Sequence, residues 1–297
     1  MRVRRVPHLM KKAFRSPRIG RERALTTTEQ VSALTHLVNS LEVLANERDP
    51  RNAVLADWDL LRERYAWAPR PVQRALGLVA RPGVSRAIHL ARAAAAVSLL
   101  VPGTPRRHRV ATGAFLSLSS AVTNPRQYFG TDGSDQVAFM VQGVAALARS
   151  QDTRPAIVDA CLWFVGVQSA LSYATAGVAK LAGPQWRNGE ALPLVLRTEA
   201  YGDGASYALA KRYPRVTRAV GAGVIVVECA VPLVFAGKGR LTVPILATTA
   251  TFHVVNGRVM GLSRFVWAFL STYPAVLYVT QSTGRASGTG GADVRGR

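Results

Sequence analysis

The sequence predicts an all-α protein: a polytopic transmembrane helical bundle of about six to seven spanning helices, preceded by a basic, partly helical N-terminal region. Apolar residues are thin before Pro82 and crowd into successive stretches from Ala87 to Val279, while charges retreat into the short connections between them. Within the run from Ile157 to Leu181 the only formal charges are Asp159 near one end and Lys180 near the other. A lysine so placed either escapes to the membrane surface or serves a purpose. Ala182 to Gly189 reads as an exit from a bilayer: Gly183 and Pro184 end the helix, Trp186 suits the headgroup level and Arg187 the aqueous side. Bulk composition does not carry this expectation, because 48% hydrophobic residues in 297 is ordinary for a soluble chain.

The first element is a basic arm, residues 1–25, expected to be disordered, in which nine Lys and Arg residues from Arg2 to Arg23 meet one acid, Glu22. Such an arm, in a chain of net charge +21, binds phosphates or an anionic lipid surface; the spanning stretches downstream favour the lipid bilayer as partner, with no nucleic acid. No apolar h-region follows directly, so the arm is not a secretory signal. Residues 26–83 carry short amphipathic helices expected on the cytoplasmic or membrane-surface side. Val31, Leu34, Leu37, Val38, Leu41, Val43 and Leu44 trace one apolar stripe, and Ala53 to Tyr65 forms a second short helix. Trp58, Tyr65 and Trp67 there suit packing or interface anchoring.

Residues 84–281 form the transmembrane domain, with segments expected at Ser85–Val101, Val110–Thr123, Asp135–Ala148, Ala156–Leu181, Val216–Ala236, Leu241–Val255 and Phe265–Gln281. The basic N-terminal region and the Lys211, Arg212, Arg215, Arg218 connection both favour the cytoplasm, giving a multi-pass cell-membrane protein with its N-terminus inside. The Gly- and Ser-rich tail, residues 282–297, is expected to be disordered.

Polar residues inside the apolar stretches carry the chemical information. Glu228 follows four apolar residues, and His253 ends a threonine-rich run. A carboxylate there must find a partner or take up a proton, so Lys180, Glu228 and His253 can share one interior site with Lys180–Glu228 as an ion pair. A snorkelling lysine, a structurally hydrogen-bonded histidine and a packing-only glutamate are the plainer alternatives. Arg86, His89 and Arg92 recur every three residues; the headgroups suit Arg86, whereas Arg92 lies deeper and is a candidate binding residue. Cys161 and Cys229 have no metal-ligand spacing, and no phosphate loop, zinc signature or Ser-His-Asp set is present.

The string from Ser172 to Leu192, with Ala176-Gly177, Lys180-Leu181 and Trp186-x-x-Gly189-x-Ala191, resembles the central motif of the HTTM membrane-domain family, which includes the membrane part of vitamin K-dependent γ-glutamyl carboxylase. Phe252-His253 followed by Gly261-x-x-x-Phe265, and the polar turn Asp132 to Gln136, are similar to further segments of that family; the likeness runs from about Val84 to Tyr278. The resemblance implies a polytopic helical domain and, in the carboxylase branch, a lysine acting as general base on a reduced quinone. By position Lys180 would be that base and His253 the family histidine, catalytic together, with Asn256 assisting one turn on and Glu228, Arg92 and Trp186 as binding residues. With the sequence ending soon after the last apolar segment, the large extramembrane portion through which the animal carboxylase engages its protein substrate is not expected here. Two functions follow as expectations: quinone-linked redox or modification chemistry, or a non-enzymatic membrane role with a peptide or protein partner, as in immunity, export or transport. Arg- and Ala-rich usage fits a high-GC bacterial source.

Overall fold

The computed structural model describes residues 18–46, 62–124, 133–236 and 239–286. The arm up to Pro17, most of the helix expected at Ala53–Tyr65 with its Trp58, the turn residue Asp132 and the tail beyond Ala286 lie outside the described residues.

Among the described residues the chain is all-α. Its longer helices are α1 (Arg21–Ala45), α2 (Arg70–Ala80), α3 (Pro82–Leu100), α4 (Arg106–Thr123), α5 (Gly133–Ser150) and α6 (Pro155–Ala182). Three short helices follow, α7 (Pro184–Arg187), α8 (Ala191–Leu196) and α9 (Gly204–Arg212). Then come α10 (Pro214–Ala230), α11 (Leu233–Ala236), α12 (Thr242–Met260), α13 (Ser263–Leu270) and α14 (Tyr273–Ala286). Proline occupies one of the first two positions of α2, α3, α7 and α10, where its missing N–H costs nothing. Gly261, at φ 70°, ends α12 in the left-handed conformation.

Two expected segments are broken. The segment expected at Val216–Ala236 stops at Ala230 and resumes at Leu233, because Pro232 cannot donate to the preceding turn. That expected at Phe265–Gln281 divides into α13 and α14, with Pro274 disfavouring a helical residue before it.

The chain divides into two compact units. The second comprises Leu25–Cys161 and Ser263–Ser271, hence most of α1, all of α2 to α5, the start of α6, and α13. Here α1 differs from the expectation of a surface helix. Its apolar stripe, Val31 to Leu44, is half-buried or exposed, and the buried face is Thr28, Glu29, Ser32, Thr35, His36, Asn39 and Ser40. Polar residues also turn inward on α3 (His89, Arg92), α4 (Thr112, Ser119, Ser120) and α5 (Asp135, Gln142), while Leu90, Leu118, Phe139 and Leu147 face out. A small apolar cluster of Ala33, Ala96, Leu99 and Leu116 joins α1, α3 and α4. Helices α4 and α5 approach closely: a Cβ on Gly143 would meet Ser117 Oγ at 2.8 Å.

The first unit comprises the described residues up to Ala24, then Leu162–Leu262, and Thr272 onward. Helix α6 is its axis. Gly166 lets α14 in, since a Cβ there would sit 3.0 Å from Val279 Cγ2, and Ser169 Oγ lies 2.8 Å from Thr272 Oγ1. Outward faces again carry Leu171, Val178, Val220, Val226 and Val254.

Among the described residues one helix, α6, is long and apolar enough to cross a membrane. Its 28 residues span about 42 Å, against a hydrocarbon core of about 30 Å. The other segments expected to span do not meet this measure, being shorter or more polar than α6.

Candidate functional site

Lys180 lies in the last turn of α6 and Glu228 two residues before the end of α10, both in the first unit. Lys180 Nζ donates to Glu228 Oε1 at 2.9 Å and stands 2.8 Å from Oε2. Glu228 is buried, while the Lys180 side chain retains 21% of its exposure and passes over the Trp186 ring, 5.3 Å from its centroid. The contact is possible because residue 177 is glycine: a Cβ there would meet the Cys229 backbone N at 2.9 Å and Glu228 Cβ at 3.1 Å. The motif Ala176-Gly177-x-x-Lys180 therefore has a local cause, with the glycine bringing α10 close enough for the lysine one turn later to reach its carboxylate.

His253, on α12, is buried beside the same helix. Its Nε2 lies 2.6 Å from Tyr173 Oη, which lies 3.0 Å from Tyr273 Oη, and that hydroxyl donates to Thr249 Oγ1 at 2.8 Å. Phe252 stands edge-on to the imidazole. Four side chains from α6, α12 and α14 thus form one continuous chain of polar atoms inside an apolar unit. Tyr173, Gly177 and Lys180 follow the i, i+4, i+7 pattern, so the ion pair and the hydroxyl chain share one face of α6, roughly 10 Å apart along its axis. Asn256 is half-buried one turn beyond His253 and joins neither network among the described residues.

Arg92 belongs to the other unit. It is buried, donating from Nη1 to the Leu116 carbonyl at 3.0 Å and to Ser119 Oγ, and from Nη2 to Ser120 Oγ at 3.1 Å and His36 Nδ1 at 3.0 Å. Arg86, expected on the same side, faces out, because the buried positions of α3 run Ser85, His89, Arg92, Ala96 and Leu99.

Two further ionic clusters in this unit are absent from the sequence reading. Glu29 Oε2 takes Arg109 Nη1 at 2.6 Å and Arg149 Nε at 3.4 Å. Asp135 Oδ1 accepts from Asn39 at 3.1 Å and from Arg264 at 2.9 Å, and Arg264 Nε reaches Glu42 at 3.0 Å. The signal was present: Thr28, Glu29, Ser32, Thr35, His36 and Asn39 recur at three- and four-residue steps, a polar stripe as regular as the apolar one beside it.

Outside the long helices, Asp203 caps α9 by accepting from the Ser206 N–H at 2.7 Å, and these Ser206 hydrogen bonds hold its carboxyl below the usual aspartate range. Among the described residues no His, Cys, Asp and Glu group could hold a metal ion, and Cys161 and Cys229 are both free. No protein-family model, curated protein or solved structure matches this chain.

Proposed function

We propose that the protein is a multi-pass membrane protein, N-terminus cytoplasmic, in which the Lys180 face of α6 is a proton-handling site for a lipophilic substrate. The membrane part of this reading is supported by inverted polarity: Glu29, Arg92 and Gln142 are enclosed while Leu118, Leu147 and Val226 face outward, the sidedness lipid favours and water does not. Carbonate washing of isolated membranes tests it; release of the protein from the pellet would refute it.

The single observation that carries the chemistry is the 2.9 Å Lys180–Glu228 bond. Moving one proton along it converts the pair to neutral amine and neutral acid without exporting charge into an apolar medium. The amine so exposed can accept a proton from a substrate hydroxyl, as the HTTM resemblance implies for this lysine. The His253, Tyr173, Tyr273 and Thr249 chain offers successive acceptors and donors along which a proton can be redistributed. A reduced quinone, the group that resemblance names, would supply the ionisable hydroxyl. The donor set fits it: an ammonium, an imidazole and a phenol on an apolar helix face are groups that hydrogen-bond quinone oxygens. Solvent extraction of the purified protein should recover a quinone from the wild type and less from Tyr173→Phe. Lys180→Met and Lys180→Arg should both bind quinone without deprotonating it. Absence of quinone, with deprotonation intact in Lys180→Met, would overturn the assignment.

The closeness of Gly177 to Cys229 and Glu228 favours a second, non-enzymatic reading in which the ion pair clamps α6 to α10. Under it, replacing both partners by apolar residues leaves every cellular role of the protein intact.

A further inference from the structure

The geometry points to a second binding function, in the unit that holds α1 to α5 and independent of the Lys180 face: a small monovalent anion, of chloride or formate size, held by Arg92 in a polar layer between two ionic closures. Helices α1 and α5 pair in antiparallel register, Glu29 with Arg149 at one end and Asn39 with Asp135 at the other. Gln142 is midway between Asp135 and Arg149 on α5 and therefore stands opposite the middle of that α1 stretch, Ser32 to His36. The layer so defined is enclosed and underbonded. Ser32 Oγ, Thr35 Oγ1, both amide atoms of Gln142 and Nε of Arg92 have no hydrogen-bond partner among the described residues, although each of these residues is at most 2% exposed.

Shared neighbours relate these groups. Gly113 of α4 abuts the amide, since a Cβ there would stand 3.3 Å from Gln142 Nε2. Leu116, one turn along α4, is the carbonyl that Arg92 binds, and His36, one turn beyond Ser32 on α1, is the imidazole it binds. The unsatisfied groups are mainly N–H and O–H donors, the complement of an anion.

Charge selects the same ligand. Arg109 and Arg149 meet Glu29, and Arg264 meets both Asp135 and Glu42. Three of these four enclosed or half-enclosed guanidiniums thus touch a carboxylate, and the fourth is Arg92, whose contacts are a carbonyl, two hydroxyls and an imidazole, all neutral acceptors. One anion against Arg92 would give it a counter-charge and satisfy the orphaned donors together.

The test uses the full-length chain in detergent, exchanged into gluconate and titrated with chloride or formate at constant ionic strength, reading the unfolding midpoint. The expected result is a saturable rise with at least one small anion, unchanged in Arg86→Gln, which removes an exposed charge from the same helix, and at least about tenfold weaker in Arg92→Gln. Should Arg92→Gln fail to fold, Gln142→Leu serves: it fills the layer, keeps the cation and should fold in gluconate while losing the response. A midpoint that does not distinguish small anions from gluconate, or a response undiminished in both Arg92→Gln and Gln142→Leu, overturns the proposal.

Discussion

Lys180 and Glu228 are unequally enclosed, and this asymmetry fixes what their separate removal must cost. Lys180→Met leaves a carboxylate whose side chain is only 6% exposed with no opposite charge in reach, which costs about 3–5 kcal/mol for a broken buried pair. Glu228→Gln leaves an ammonium that keeps 21% of its exposure and the Trp186 ring at 5.3 Å, so the loss is about 1–2 kcal/mol. Lys180→Met combined with Glu228→Gln removes both charges and should return to within about 1 kcal/mol of the wild type. Equilibrium unfolding of the four proteins in mixed micelles gives the cycle directly, with a coupling of at least about 3 kcal/mol expected. Additive single effects, or a Glu228→Gln variant less stable than Lys180→Met, would refute the inference from burial. Because the double variant is folded, it also separates chemistry from support: if it no longer binds or deprotonates a quinol, the pair does more than hold helices together.

Three other outcomes are expected. Gly177→Ala places a Cβ 2.9 Å from the Cys229 backbone nitrogen, so α10 must retreat, at about 1–3 kcal/mol in the same unfolding assay and with weaker Lys180–Glu228 coupling. Glu29→Gln strips two buried arginines of their shared carboxylate and should cost about 3–5 kcal/mol, whereas substituting the exposed Arg154 should leave the midpoint unchanged. At Asp203 the folded carboxyl titrates below the unfolded one, so its contribution is complete above the unfolded range, about pH 4, and disappears as pH falls through the lower folded value. The protection of the Ser206 amide, measured against its intrinsic exchange rate at each pH, should therefore fall on acidification, and Asp203→Ala should show the low protection at every pH.

What was legible in the sequence divides along physical lines. Helices α3 to α6 lie within a few residues of their expected positions because prolines and apolar stretches mark them locally. The Lys180–Glu228 pairing was legible because formal charges are few in these stretches, and a charge so placed needs its opposite. His253 was found, but not its partners: Tyr173 and Tyr273 look like ordinary packing aromatics until their hydroxyls are seen to meet. In α1 the apolar stripe was legible, but not which of its two stripes turns inward. With apolar side chains on the outer surface of the unit, the competing stripe of Thr28, Glu29, Ser32 and His36 turns inward instead. The division between α13 and α14 was missed because both halves are apolar and only Pro274 marks it.

Arg264, in α13, reaches back to Asp135 and Glu42 across separations that no local folding step can bridge. During synthesis, α1 to α5 therefore emerge from the ribosome long before the residue that closes one of their ionic clusters exists. A nascent chain stalled before Ser263 lacks the guanidinium that pairs with both Asp135 and Glu42. The second unit then matures only near the end of translation, which makes substitutions at Arg264 candidates for failed assembly rather than failed chemistry.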